Sequence, residues 1–123
     1  VGINDGSARG IRNWWISSAT QIRSAVYGGS SYTGLHYYNS IDSLAPHKMA
    51  TAYSYEDTTY VSALDGSTPQ STTSWAGVVT NPTTLWLGRE TATSRPFTGA
   101  IRRVAYYGEA LSGAELQALT ENN

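Results

Sequence analysis

The stretch "HKMATAYSYEDTTYVSALDGS", residues 47–67, alternates with a period of two on either side of an acidic turn. Successive side chains of a strand point to opposite faces. Residues 48–54 therefore put Met49, Thr51 and Tyr53 on one face and Ala50 and Ala52 on the other. "YED" reverses the chain. Residues 58–64 return with Tyr60, Ser62 and Leu64 on one face and Thr59, Val61 and Ala63 on the other. Asp65-Gly66 is a turn pair that ends the return strand.

The same strand-and-turn pattern recurs along the chain. "NDGSARG" is a turn cluster with Asp5-Gly6 as its hairpin signal, and "IRNWWISSA" follows as a strand on which Trp14 and Trp15 must face opposite ways. "TQIRSAVYGG" is a strand ended by Gly28-Gly29, and "TGLHYYNSI" is a further short strand or an ordered loop. A long polar loop, residues 67–84, carries Trp75. "TLWLGRE" is a strand stopped at Gly88. "FTGAIRRVAYYGEA" is the closing strand, although Ile101 and Val104 have opposite parity, which calls for a bulge near Arg102 and Arg103 or cover on both faces. In "LSGAELQALT", Ser112 and Glu115 form a capping box at a helix start, Leu111 and Leu116 stand at the hydrophobic-staple positions, and Leu116 and Leu119 form an apolar stripe. Short strands every 8–12 residues with one terminal helix predict an all-β antiparallel sandwich.

Composition agrees. The 123 residues suit one domain, and charged residues make up 14% of them, below the roughly 25% of an average soluble domain. Tyr and Thr fit a pleated surface, and Gly and Ser fit tight turns. A formal net charge of -1 gives no electrostatic footprint for nucleic acid. The chain has no cysteine, so disulfides and thiolate metal sites are excluded. No apolar run approaches the roughly 20 residues of a membrane span, so no membrane partner is expected. Val1 opens directly in strand-like text without an initiator Met or a signal-peptide pattern. Residues 1–123 are expected to be a single module, a piece of a longer chain.

Three motifs occur in a telling order: "HKMATAYSYEDTTYVSALDG", then "LWLGRE", then "FTGAIRRVAYYGEALSGAELQALT". This succession resembles the concanavalin A-like, laminin-G-type jelly roll, in the version found in bacteriophage tail-fibre and other virion proteins. The closing strand followed by an "LS-x-x-E-L" helix is the most specific part. The resemblance covers residues 1–120. It implies two curved antiparallel sheets packed face to face, with a further strand before Val1 that this chain lacks. It also implies a non-catalytic role on the virion surface, either binding glycans or decorating the particle.

The residues give little support to catalysis. Glycosidases need two carboxylates flanking the scissile bond, about 5–5.5 Å apart for retention, which on a strand means acids at alternate positions. Here Glu56 and Asp57 are adjacent in a turn, Asp65 precedes Gly66, and Glu90 stands alone after Gly88. His36 and His47 have no serine motif near them, and a structural or solvated role is expected for His47. No catalytic residue and no enzyme activity are expected, and a glycosidase is the third-ranked reading. No cofactor is expected either. "NDGS" and "LDGS" could bring carboxylates together for calcium, but no D-x-D-x-D loop is present.

Sugar binding needs a flat aromatic face with planar hydrogen-bonding groups beside it. The candidates are Trp75 in its polar loop and the "HYYN" segment, His36, Tyr37, Tyr38 and Asn39. Arg102 and Arg103 are read as the polar pattern of a sheet, with Arg103 facing Glu109 or Glu115 as ion-pair candidates. The leading expectation is a glycan-binding virion module. The alternative is a purely structural module that packs against other virion subunits. Low charge, many aromatics and the resemblance together predict a homo-oligomer.

Overall fold

The computed structural model describes residues 2–4, 10–16, 20–28, 31–42, 44–54, 56–73, 83–87 and 99–121. Within them eight strands precede one helix: β1 (Gly2–Asn4), β2 (Gly10–Ile16), β3 (Gln21–Gly28), β4 (Ser31–Tyr38), β5 (Met49–Ser54), β6 (Thr59–Leu64), β7 (Gln70–Thr73), β8 (Thr84–Trp86) and α1 (Gly113–Thr120). The strands form a five-stranded sheet in the order β4-β3-β2-β1-β8 and a three-stranded sheet in the order β5-β6-β7. Every pairing is antiparallel. This is the all-β sandwich with one short C-terminal helix that the sequence pattern predicts.

The β5–β6 hairpin separates its two faces as the alternation requires. Thr51 pairs with Ser62 and Tyr53 with Tyr60, while Ala50 pairs with Ala63 and Ala52 with Val61. The first set faces the other sheet. There Val26 and Tyr60 are buried, with Ile11 and Tyr53 packed against them. The alanine face lies under α1, where Leu116, Ala52 and Ala63 are buried together and Ala50, Val61 and Leu111 close around them. Full burial of a leucine such as Leu116 contributes about 2 kcal/mol. The small alanines let the helix approach the sheet closely.

The end of β6 and the start of α1 are both set locally. Asp65 and Gly66 hold positive φ values of 49° and 73°, and the Ser67 N–H donates to the Leu64 carbonyl at 2.8 Å. Two successive left-handed residues are what a two-residue type I′ turn requires. The helix starts at Ser112, whose hydroxyl accepts from the Glu115 N–H while the Glu115 carboxylate accepts from the Ser112 N–H. The Ser112 hydroxyl also donates to Glu115 Oε2 at 2.7 Å, and this bond, with that from the Ser112 N–H, holds the Glu115 carboxyl below its ordinary range.

Four expectations are corrected. The polar loop over residues 67–84 contains a strand, β7, because "QSTT" has threonines that fit a pleat and the free edge of β6 pairs with it from Thr59↔Thr73 to Ser62↔Gln70. The closing strand is not formed among the described residues: 100–107 join no sheet, and Ile101, Val104, Tyr106 and Tyr107 are exposed. On an extended chain here each face would mix apolar residues with an arginine, Arg103 beside Ile101 and Arg102 beside Val104, so neither face is uniformly apolar. Leu119 is exposed rather than part of a buried stripe. Arg102 and Arg103 are both exposed, and among the described residues neither forms an ion pair. Glu115 is instead engaged by Ser112. The Asp5-Gly6 turn, the acidic residue Glu90 and the side chains of Trp14, Trp15 and Trp86 lie outside the described residues.

Candidate functional site

The "HYYN" segment ends β4, and its period of two divides it. His36 and Tyr38 point between the sheets and are buried, whereas Tyr37 and Asn39 are exposed. His36 Nδ1 lies 2.6 Å from the Ser62 hydroxyl and His36 Nε2 lies 3.0 Å from the Thr72 hydroxyl. Its ring also stacks on Tyr60, with centroids 5.0 Å apart. The Tyr38 hydroxyl shares Ser62 at 2.8 Å. Ser24 continues the network, bonding the Tyr60 hydroxyl and donating to Asn13 Oδ1 at 2.6 Å. Burial lowers the pKa of His36. A neutral imidazole, with one donor and one acceptor, matches two hydroxyls that can each play either part. This is a satisfied polar core that ties β3 and β4 to β6 and β7.

The outward half of the segment meets polar groups from β3. Arg23 pairs in register with Tyr37, and its guanidinium lies over the Tyr37 ring, 5.1 Å from the centroid. Arg23 Nε donates to Gln21 Oε1, and Gln21 Nε2 donates to Asn39 Oδ1. Gln70, from β7, donates its amide to the Tyr37 carbonyl at 2.8 Å. The end of the β3–β4 pair is tied by the Ile41 N–H donating to the Thr20 carbonyl at 2.9 Å. Thr20 and Ser40, with φ values of 45° and 57°, adopt left-handed backbone that costs a non-glycine residue roughly 1–2 kcal/mol. The result is an exposed aromatic ring, a held guanidinium and the exposed Asn39 amide on one patch, with the buried Gln21 bracing the last two. Such groups can take a sugar by stacking and planar hydrogen bonds.

Trp75 lies outside the described residues. Gln21 and Arg23 were not picked out from the sequence. Their signal was present in "TQIRSAVYGG", where both fall on one parity, but recognising it requires the register that sets Arg23 beside Tyr37.

Asp42, Asp57 and Asp65 are engaged in local structure. Asp57 Oδ2 accepts from the Ser54 hydroxyl at 2.8 Å, and Asp42 Oδ1 accepts from the Leu44 N–H at 2.9 Å. Asp65 accepts from the Lys48 N–H at 2.8 Å and from His47 Nδ1 at 2.6 Å. His47 Nε2 faces the Asp42 carbonyl at 2.6 Å. Both partners of His47 only accept, so both bonds form together only in the imidazolium. Partial burial pulls the His47 pKa down. The Asp42 carbonyl, the Asp65 hydrogen bond and the two nearby carboxylate charges outweigh it and hold the pKa above its ordinary value. Among the described residues no group of three or more His, Asp or Glu could hold a metal ion, and no helix is long and apolar enough to cross a membrane.

No curated protein and no solved structure matches the chain. A family model does match, over residues 2–117, a span that includes both sheets and the start of the helix. The chain belongs to the concanavalin A-like lectin/glucanases superfamily.

Proposed function

We propose that this chain is a non-catalytic module of a bacteriophage particle that binds host-surface or other glycans. The observation that carries the reading is the exposed Tyr37 ring, with the Arg23 guanidinium against it and the Gln21 and Asn39 amides beside it. An aromatic face takes the C–H face of a pyranose, and fixed planar donors take its hydroxyls. A superfamily that joins lectins and glucanases fits a carbohydrate ligand.

The described acids support a lectin rather than a glucanase. Asp42, Asp57, Asp65 and Glu115 are each bound to local partners, and Glu56 lies in an exposed turn beside Asp57. The particle setting rests on the order of the hairpin, "LWLGRE" and "LSGAEL" motifs. The purified chain on a glycan array tests the reading. Binding to a defined glycan set is expected, and no binding across the array would overturn it. Polysaccharide hydrolysis that is lost in Glu56→Gln or Asp57→Asn would overturn the non-catalytic assignment.

A second reading, a structural module packed against other virion subunits or a second copy, is favoured by one observation. Ile101, Val104, Tyr106 and Tyr107 are all exposed within one short stretch of chain before the helix, and a concentration of exposed apolar residues is a mark of a contact surface. Sedimentation separates the two: an oligomer without any glycan ligand supports the structural module.

A further inference from the structure

We infer that the glycan taken at the Arg23–Tyr37 patch is acidic and carries a carboxylate, as a uronic acid does, and that Arg23 selects it. The inference rests on the glycan-binding reading and adds the charge class of the ligand.

Arg23 is held in place by neutral groups. Its Nε donates to Gln21 Oε1, and its guanidinium lies over the Tyr37 ring. Gln21 is itself fixed. It is 9% exposed, and its Nε2 donates to Asn39 Oδ1, which leaves the amide oxygen turned to Arg23. The chain of contacts from Asn39 through Gln21 to Arg23 orients the guanidinium plane. None of these partners carries a negative charge, and among the described residues no carboxylate pairs with Arg23.

Guanidinium has five N–H donors. Nε uses one on Gln21, so the four on Nη1 and Nη2 remain for a ligand. Two parallel N–H groups match the two oxygens of a carboxylate and give a bidentate, charge-assisted pair. A neutral sugar could engage the same donors through hydroxyls but would leave the charge uncompensated. The guanidinium is already oriented, so little further ordering of Arg23 opposes binding. One fixed cation suits one monoanionic group.

The test uses oligogalacturonate and its carboxyl-reduced, neutral counterpart, which share linkage and length. Binding of each to the purified chain is measured at low and at high salt. The uronate form is expected to bind about tenfold tighter or more, with the difference shrinking as salt rises. Arg23→Gln should bind both forms alike, and Arg23→Lys should recover only part of the preference, because an ammonium lacks the planar fork. Melting temperatures identify any variant that fails to fold, and the salt dependence of the native chain then carries the test. Equal binding of the two forms, tighter binding of the neutral form, or a preference for sulfated over carboxylated oligosaccharides would overturn the inference and leave the glycan reading standing. A uronate preference that survives in folded Arg23→Gln would overturn the role of Arg23. Absence of binding to every glycan, neutral or acidic, would overturn the underlying reading and the inference with it.

Discussion

Nδ1 of His36 lies 2.6 Å from the hydroxyl of Ser62, and this contact crosses from one sheet to the other. With Thr72 on the other ring nitrogen and Tyr60 stacked on its face, His36 acts as a polar bolt between the layers. Truncation would remove packing and leave the buried Ser62 hydroxyl and the half-buried Thr72 hydroxyl short of a partner. His36→Ala should cost on the order of 2–3 kcal/mol, measured by urea denaturation. A loss under about 0.5 kcal/mol, the range of an ordinary surface change, would contradict this role.

The two histidines make stability depend on pH in opposite directions. His36 has a native pKa below the ordinary 6.5. As pH falls past 6.5 the unfolded chain binds the proton first, so stability drops with acidification. His47 has a native pKa above 6.5. As pH rises past 6.5 the unfolded chain releases its proton first, so the stability that His47 contributes is lost as pH climbs through its raised pKa. Melting temperature should therefore peak near the shared reference value of 6.5. His47→Gln should flatten the alkaline limb and leave the acid limb in place. A profile that keeps rising from pH 5 to 8 would contradict the assignment.

Much of the fold was legible because its signals are local. Alternation in residues 48–64 placed every side chain of β5 and β6 on its correct face. The capping box and the staple placed α1 to within a residue, and Leu111 does pack against the cluster that holds Leu116. Residues 100–107 misled because β-branched and aromatic composition suits a strand, while a strand also needs a partner edge and one buried face. β7 was missed for the converse reason: its hydrogen bonds come from β6, and its own side chains carry no apolar pattern. At the candidate site, "HYYN" drew notice for its rings, yet parity sends His36 and Tyr38 inward. Arg23, which lies over the Tyr37 ring, comes from the neighbouring strand β3, and Gln21 on the same strand holds it there. Only the sheet register brings them together.

The helix cap offers a simpler check. Ser112→Ala removes the hydroxyl that accepts from the Glu115 N–H, and should destabilise the module by about 0.5–2 kcal/mol. The glycan affinity of the folded fraction should not change, because α1 covers the alanine face of β5 and β6 rather than the Arg23–Tyr37 patch. A melting temperature equal to that of the native chain would show that the cap contributes nothing.

Gly66 is constrained twice. Its φ of 73° suits glycine, and an added Cβ would stand 3.0 Å from the Cγ of Glu121. Gly66→Ala should therefore cost about 1 kcal/mol or more. Part of that loss should reflect weaker docking of the helix end, which is held to this turn by Gln117 donating to the Gly66 carbonyl at 2.9 Å. Unchanged denaturation would show that the turn relaxes without strain.

If the exposed Tyr37 ring under Arg23 is the proposed sugar site, Tyr37→Ala should part binding from stability. Tyr37 is 42% exposed, so its removal should leave the melting temperature nearly unchanged. Loss of a stacking contact on the order of 1 kcal/mol should weaken glycan binding roughly five- to tenfold, and by more on a multivalent particle. Both quantities are read on the same purified variant. A Tyr37→Ala protein that binds glycan normally while its melting temperature collapses would contradict the account.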